Sequence, residues 1–319
     1  MTLPLHGVTG VRRRLAVRHT TRYQYEQPVE RSAHRLHLCP IDDSKQRLLH
    51  HELRITPAVP VVHYEDVFGN FATRFEITKP YTELTVEAES TVELLDLDPF
   101  AFASLPIRPA FPLVWMPWEQ KMLQPYLTSV ELPDTQLTEL FDYAMSFVKT
   151  AQGDLMETLF AINLTMFRDY QYVPGSTCLE TTPYDVFTNK RGVCQDFANL
   201  FICLARLLGI PARYVCGYVY TGNVGEARAR SDASHAWLQL YIPGVGWKGF
   251  DPTNGVLPRT DHVRVGYGRY YRDTSPTSGT IYTPAAERMT IDVEVNEVEA
   301  ETADSTPEAN GFPEGALVS

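Results

Sequence analysis

The chain has 319 residues, 44% of them hydrophobic and 21% charged, which suffices to bury a large core in up to two domains and excludes disorder of the whole chain. A formal net charge of −11 excludes a duplex-binding surface, because nucleic-acid affinity is built on clustered Lys and Arg. No stretch reaches the roughly 18 apolar residues of a membrane span, so neither nucleic-acid nor membrane partners are expected.

Residues 1–14 read as a flexible leader without the continuous apolar core of a signal peptide. From 15 to 97 apolar and polar residues alternate in LAVRHTTRYQYEQPV, SAHRLHLCP, HELRITPAV and LTVEAESTVELL, which predicts an antiparallel β domain, a small sandwich. Gly69 and Asn70, between aromatic-flanked arms, mark a hairpin. His19, His34, His37, His50 and His51 lack acidic partners at a ligand spacing and read as sheet-face side chains. Residues 98–133 are rich in proline and aromatics and read as an apolar linker packed across a domain interface.

From Asp134 the period becomes helical, with Leu137, Leu140, Phe141, Ala144 and Phe147 on one face. A second helix follows in DLMETLFAINLTMFRDY, then a short one near Pro183 capped by Thr182. The central helix begins at Cys194. Phe197, Leu200, Phe201, Leu204, Leu207 and Leu208 form its buried stripe, and Gly209 with Pro211 stop it. Three strands come next: ARYVCGYVY, ASHAWLQLYIP and, after the Gly244–Gly246 turn, GWKGFDPT. The stretch HVRVGYGRYYRDTSPTSGTIY reads as loop-rich, ERMTIDVEVNEVE as a final strand, and 298–319 as a disordered acidic tail. Residues 134–297 thus form an α+β domain whose central helix packs on an antiparallel sheet.

Five cysteines are present, Cys39, Cys178, Cys194, Cys203 and Cys216; the odd count and the lack of any CxxC spacing favour neither a disulfide framework nor a zinc site. A cytoplasmic protein with reduced thiols is expected. Cys194, in the first helical turn, sits where unpaired backbone N–H groups favour a thiolate and can donate to an oxyanion. Cys203, mid-helix, and Cys216, mid-strand, lack that setting and read as packing residues. A thiol nucleophile needs a base, and the base needs a partner that holds its tautomer. His235 on the second strand and Asp251 at the end of the third are brought side by side by the intervening turn. Taken singly, a strand histidine is usually a satisfied core residue and an Asp before Pro usually a turn residue. Their joint occurrence with Cys194, each on a suitable element, points to a Cys–His–Asp triad.

The segments GVCQDFANLFICLARLLGIPARYVCGYV, SHAWLQLYIPGVGWKGFDPTN and HVRVGYGRYYRDTSP resemble the bacterial transglutaminase-like superfamily, and HTTRYQYEQPVERSAHRLHLCP resembles the β domain that precedes its core in one bacterial branch. The resemblance covers nearly everything between Leu15 and Val295. It implies a papain-like α+β core and acyl transfer through a thioester, with Cys194 as nucleophile, His235 as general base and acid, and Asp251 as orienting carboxylate. The Cys194 backbone N–H is the first oxyanion donor expected; Tyr172 and Gln195 are both open as the second. Asp196 fits the family pattern and reads as structural, a helix N-terminal charge or a bond to a neighbouring loop. Tyr218, Trp237 and Trp247 are candidates to line the cleft. No cofactor is implied. The loop TGNVGEARARSD, with Glu226 and Asp232 beside Arg228 and Arg230, is a poor site for calcium. The expected substrate is a peptide or protein amide. Hydrolysis by a cysteine peptidase or amidase leads. Transamidation or peptide ligation with an amine acceptor, and a non-catalytic binding module, are the alternatives.

Overall fold

The computed structural model describes residues 8–97, 108–178, 180–222, 234–283 and 285–298. The start of the leader (1–7), the start of the linker (98–107), the 223–233 loop and the tail from 299 lie outside the described residues.

The alternating first third forms six strands: β1 (Val8–Val29), β2 (Ser32–Leu36), β3 (Gln46–Thr56), β4 (Val62–Glu65), β5 (Phe71–Ile77) and β6 (Tyr81–Leu97). Residues 8–14, expected in a leader, are the beginning of β1 and pair with β6. Helices then predominate: α1 (Pro117–Leu127), α2 (Asp134–Thr150), α3 (Leu155–Asp169), α4 (Pro183–Asn189) and α5 (Cys194–Leu207), with the short strands β7 (Gln171–Tyr172) and β8 (Arg191–Gly192) paired in parallel ahead of α5. The last third holds β9 (Ala212–Val219), β10 (His235–Ile242), β11 (Gly246–Phe250), β12 (His262–Gly268), the turn helix α6 (Tyr271–Thr274), β13 (Thr277–Ile281) and β14 (Glu287–Glu297).

The architecture is α+β. Two four-stranded sheets, ordered β14-β1-β6-β3 and β13-β2-β5-β4, face each other. Their inward side chains, among them Leu36, Phe75, Ile77, Leu84 and Val86, meet in one cluster. The sandwich is completed by the end of the chain. β14 pairs antiparallel with β1 from Leu15↔Glu297 to Tyr25↔Glu287, and β13 pairs with β2. The expected boundary, which put everything from 134 to 297 in one catalytic domain, is therefore corrected. Alternation marks residues 287–297 as a strand, but it does not choose the sheet that receives it.

The core of the second domain is the sheet β11-β10-β9-β12 with α5 packed on it. Phe197, Leu200, Phe201 and Leu204 of α5 are at most 2% exposed. Each such burial contributes about 1.5–3 kcal/mol, before conformational entropy is charged against it. Gly209 ends the helix at φ +75°, with the Ile210 N–H returning to the Ala205 carbonyl at 2.9 Å. β12 lies within the stretch read as loop-rich; every one of its residues is buried.

The two domains share a core. Leu15, Val17, Val92 and Leu94 of the sandwich pack with Tyr218, Val263 and Val265 of the second-domain sheet. Arg264 makes a bidentate ion pair with Asp43 at 2.6 and 2.8 Å. Asn70, expected only as a hairpin residue, is fully buried. Its side chain accepts from the Tyr267 N–H at 2.7 Å and donates to the Tyr267 carbonyl at 2.8 Å, extending β12 as a strand would. Within the stretch read as a linker, Leu113 packs on the main core and the Trp115 indole donates to the Gly209 carbonyl at 2.9 Å.

Candidate active site

Cys194 is the first residue of α5 and half-buried. As the first two helical residues, Cys194 and Gln195 carry N–H groups with no acceptor inside the helix. Asp196 anchors this turn: its carboxylate accepts from the Val193 N–H at 2.8 Å and from the Thr177 hydroxyl at 2.7 Å, tying the helix start to the preceding loop. Burial raises its pKa, and those two hydrogen bonds work in the opposite direction. Gly192 lies in β8, directly ahead of this turn. Its requirement is space, since a Cβ there would sit 2.8 Å from the Asp196 Cβ.

His235 opens β10 and is 2% exposed; Asp251, just past β11, is fully buried. The β10–β11 register sets Leu238 opposite Phe250, which carries Asp251 back along β10 toward His235. The His235 Nε2 lies 2.8 Å from Asp251 Oδ2. That contact leaves Nδ1 as the ring nitrogen free to face Cys194. Burial works against an imidazolium here. The charge and hydrogen bond of Asp251 outweigh it, helped by a hydrogen bond and charge from Cys194, and raise the His235 pKa to about 10. Asp251 is driven the other way, below the usual carboxylate range: burial opposes its charge, but His235 and His262 overcome that cost.

Asp251 is saturated with donors. Oδ1 accepts from the Thr253 and Asn254 N–H groups at 3.0 and 3.2 Å. Oδ2 takes His235, the Asn254 amide at 2.7 Å and the Nε2 of His262 at 3.1 Å. His262 turns its other nitrogen to Asp261 at 2.7 Å. With a carboxylate at each ring nitrogen its pKa is raised in spite of burial. The result is a buried chain, His235–Asp251–His262–Asp261, that sequence reading did not foresee beyond Asp251. The available signal was a histidine inside the alternating segment HVRV. Gly217 of β9 stands opposite both His235 and Arg264, and a Cβ there would come within 2.7 Å of Trp237. Glycine lets the neighbouring strands close on β9.

The donor atoms of His235, Asp251 and His262 lie within 4.8 Å of one another, close enough to be asked whether they hold a metal. Their separations are those of hydrogen bonds, and both Asp251 oxygens are already engaged. The group fits a proton-bearing chain and not a set of ligands converging on one ion at ~2 Å.

The other residues singled out are dispersed. Tyr172 lies on β7 beside Gly192, half-buried, with its ring 6.4 Å from Phe197. Gln195 follows Cys194 and is half-buried. Tyr218, 2% exposed, belongs to the core between the domains, and its hydroxyl meets His19 Nδ1 at 3.1 Å. Trp237 is fully buried, with its ring 5.8 Å from His235 and 5.1 Å from His262, so it supports both imidazoles from behind. Trp247 pairs with Tyr241 near the far end of β10 and stacks under Arg213, away from His235. Cys203 and Cys216 are buried, and burial lifts each thiol to about 12. Of the histidines in the β domain, His19 and His34 are both lowered to about 4 by burial.

Comparison with known proteins adds the following. The family described as bacterial transglutaminase-like N-terminal region matches residues 15–93, and the transglutaminase-like superfamily matches residues 142–252. An uncharacterized protein of Mycobacterium tuberculosis is 33% identical over 311 residues, covering 93% of this chain and 95% of its own. An uncharacterized protein of Mycobacterium leprae is 30% identical, covering 88% and 98%. A protein-glutamine gamma-glutamyltransferase of Pseudomonas aeruginosa matches 28% of this chain and 14% of its own at 31% identity. Among solved structures, a protein of Cytophaga hutchinsonii described as a candidate cysteine protease has the same fold, with a TM-score of 0.70 and 24% identity over 93% of both chains.

The expected cytoplasmic location is corrected. The matched structures include the periplasmic domain of TgpA from Pseudomonas aeruginosa (TM-score 0.35, 18% identity, 74% of this chain and 90% of its own), a likeness that assigns this chain no compartment. Unpaired cysteines do not report a compartment when, as here, they are spread over separate elements. The paired family matches and the near full-length mycobacterial relatives lead to one conclusion: the chain belongs to the transglutaminase-like superfamily, with a bacterial transglutaminase-like N-terminal β domain ahead of the core.

Proposed function

We propose that this protein is a thiol-dependent acyl-transfer enzyme that opens peptide or carboxamide bonds by hydrolysis, with Cys194, His235 and Asp251 as its triad. The observation that carries the reading is one imidazole held at 2.8 Å by a fully buried carboxylate while also interacting with a thiol at a helix N-terminus. The raised proton affinity of His235 favours a resting thiolate–imidazolium pair. The Cys194 thiolate attacks the carbonyl carbon, and the Cys194 backbone N–H donates to the oxyanion. Loss of one such donor costs about 3–4 kcal/mol in related chemistry. His235 then passes its proton to the leaving amine and a thioester remains. Water, deprotonated by His235, attacks the thioester and releases the carboxylic acid and the thiol. Asp251 keeps the ring in one tautomer throughout, and His262 holds Asp251 from behind.

Transamidation is the second reading, favoured by the local likeness to the Pseudomonas aeruginosa glutamyltransferase. It differs only in which nucleophile reaches the thioester. Incubation with a glutamine peptide and a labelled amine separates the two: ammonia release without incorporation is expected for hydrolysis. Iodoacetamide followed by mass spectrometry tests the thiol itself. Cys194 is expected to alkylate much faster than buried Cys203, and equal rates would refute the assignment. Cys194→Ala is expected to abolish turnover with the thermal melt unchanged; retained turnover would equally refute it.

A further inference from the structure

A cleft of about 790 Å3 lies where the open edge of the β sandwich meets the catalytic core. Its walls come from β1, β2, α6, β13 and β14, and it reaches Ser234, the residue immediately before His235. Tyr271 lines the cleft and packs on the same apolar core as Cys194; burial above all raises its pKa, and the charge of Cys194 adds to that. Ser275 Oγ gives its one proton to the Thr277 carbonyl at 2.8 Å, so at 3.2 Å it accepts from the Tyr271 hydroxyl, whose oxygen keeps lone pairs for a donor on a ligand.

Two features define what the cleft would accept. First, β13 is the edge of one sheet and β14 the edge of the other, and both contribute to the wall. An edge strand presents a row of backbone donors and acceptors that an extended peptide can pair with. Second, Arg35 and Arg272 stand together in the wall. Arg35 Nη2 donates to the Arg272 carbonyl at 3.2 Å, and neither guanidinium has a carboxylate partner among the described residues. Glu287, on β14, lines the cleft beside Tyr23 and Tyr25.

We propose that this cleft is the substrate channel of the Cys194 site and takes an extended acidic peptide, paired along the β13 edge with a carboxylate side chain against Arg35 and Arg272. This rests on the acyl-transfer reading of Cys194. It assigns a task to the β domain and to the return of the chain end into it: together they build the channel that a core domain alone would lack.

Binding is measured by fluorescence anisotropy on the full-length Cys194→Ala protein. The probes are fluorescein-labelled decapeptides of Thr and Ala with two Glu or, at the same positions, two Lys, and a Glu peptide N-methylated at alternate backbone positions. The Glu peptide is expected to bind at least tenfold tighter than the Lys peptide and at least tenfold tighter than its N-methylated form. Arg35→Gln with Arg272→Gln is expected to abolish the Glu preference, and Arg272→Gln alone, at an exposed position, to reduce it. Equal binding of Glu and Lys peptides, or an unchanged preference in both Arg variants, overturns the proposal. Iodoacetamide reactivity of Cys194 in the wild-type chain is read alongside. Fast alkylation without peptide binding refutes the channel alone, whereas peptide binding with a sluggish Cys194 refutes the acyl-transfer reading alone.

Discussion

Asp251→Asn is the substitution that asks most of the site. The amide is isosteric but carries one acceptor where the carboxylate has two. Five donors converge on those oxygens: two backbone N–H groups on Oδ1 and three side-chain N–H groups on Oδ2. Whichever way the amide is turned, an NH2 faces at least two buried donors. Each buried group left unsatisfied costs about 1–3 kcal/mol, so roughly 2–6 kcal/mol of stability is at stake. The effect on reactivity is separate. Without the carboxylate charge, burial works against the imidazolium with only Cys194 left to offset it, and the His235 pKa falls from about 10. Each unit of that fall shifts the balance between the thiolate–imidazolium pair and the neutral pair about tenfold toward the neutral one. The assay is the rate of iodoacetamide alkylation of Cys194 between pH 5 and 10, with a thermal melt at each pH. The expected result is a rate at least about tenfold lower at pH 7. The melts also have a signed expectation. The wild-type His235–Asp251 pair stabilises the fold fully below about pH 6.5, where the unfolded histidine is also protonated. That stabilisation is lost as pH rises toward the folded value of about 10, and the variant lacks this slope. An Asp251→Asn protein that alkylates within threefold of wild type and melts at the same temperature would refute the electrostatic account.

Three further outcomes follow from the same geometry. The His262 ring centroid lies 6.2 Å from that of His235, and its two carboxylate partners raise its own pKa; when protonated it disfavours the His235 proton by about 2–3 kcal/mol at an effective dielectric of ~20. His262→Gln is therefore expected to move the alkaline limb of the alkylation profile upward by about 1–2 pH units; an unmoved limb would make His262 a neutral spacer. Gly192→Ala places a Cβ 2.8 Å from the Asp196 Cβ, and overpacking of this kind costs about 1–3 kcal/mol. Chemical denaturation should show that loss together with slower Cys194 alkylation, and a fully wild-type midpoint would show that the turn has slack. Arg264→Met removes the cation from Asp43, which is exposed and still accepts from the Lys45 and Gln46 N–H groups, so the expected loss is about 1–3 kcal/mol. Measured by urea unfolding, a change under about 1 kcal/mol would mean that the apolar core between the domains holds them without the ion pair.

Much of the local structure was legible in the residues alone. The stripe from Phe197 to Leu208 and the Gly209 stop define α5, because helical period and a left-handed C-terminal residue are properties of neighbouring positions. Alternation likewise announces the β domain, and the turn at Gly244–Gly246 brings Asp251 back toward His235. What alternation cannot choose is a partner. β13 and β14 read as strands or loops of the second domain, yet they close the first, since pairing with β1 and β2 buries faces that are remote in sequence. The same holds within the site. His262 reaches Asp251 through strand packing that only Gly217 permits, and Asn70 leaves its hairpin to complete the edge of β12. The amino-acid sequence by itself determined the elements and the residue types able to do thiol chemistry. The tertiary structure decided which buried charges share one carboxylate and which strands of the second half close the sandwich. Those are energies of groups brought together from distant parts of the chain, and no local pattern encodes them.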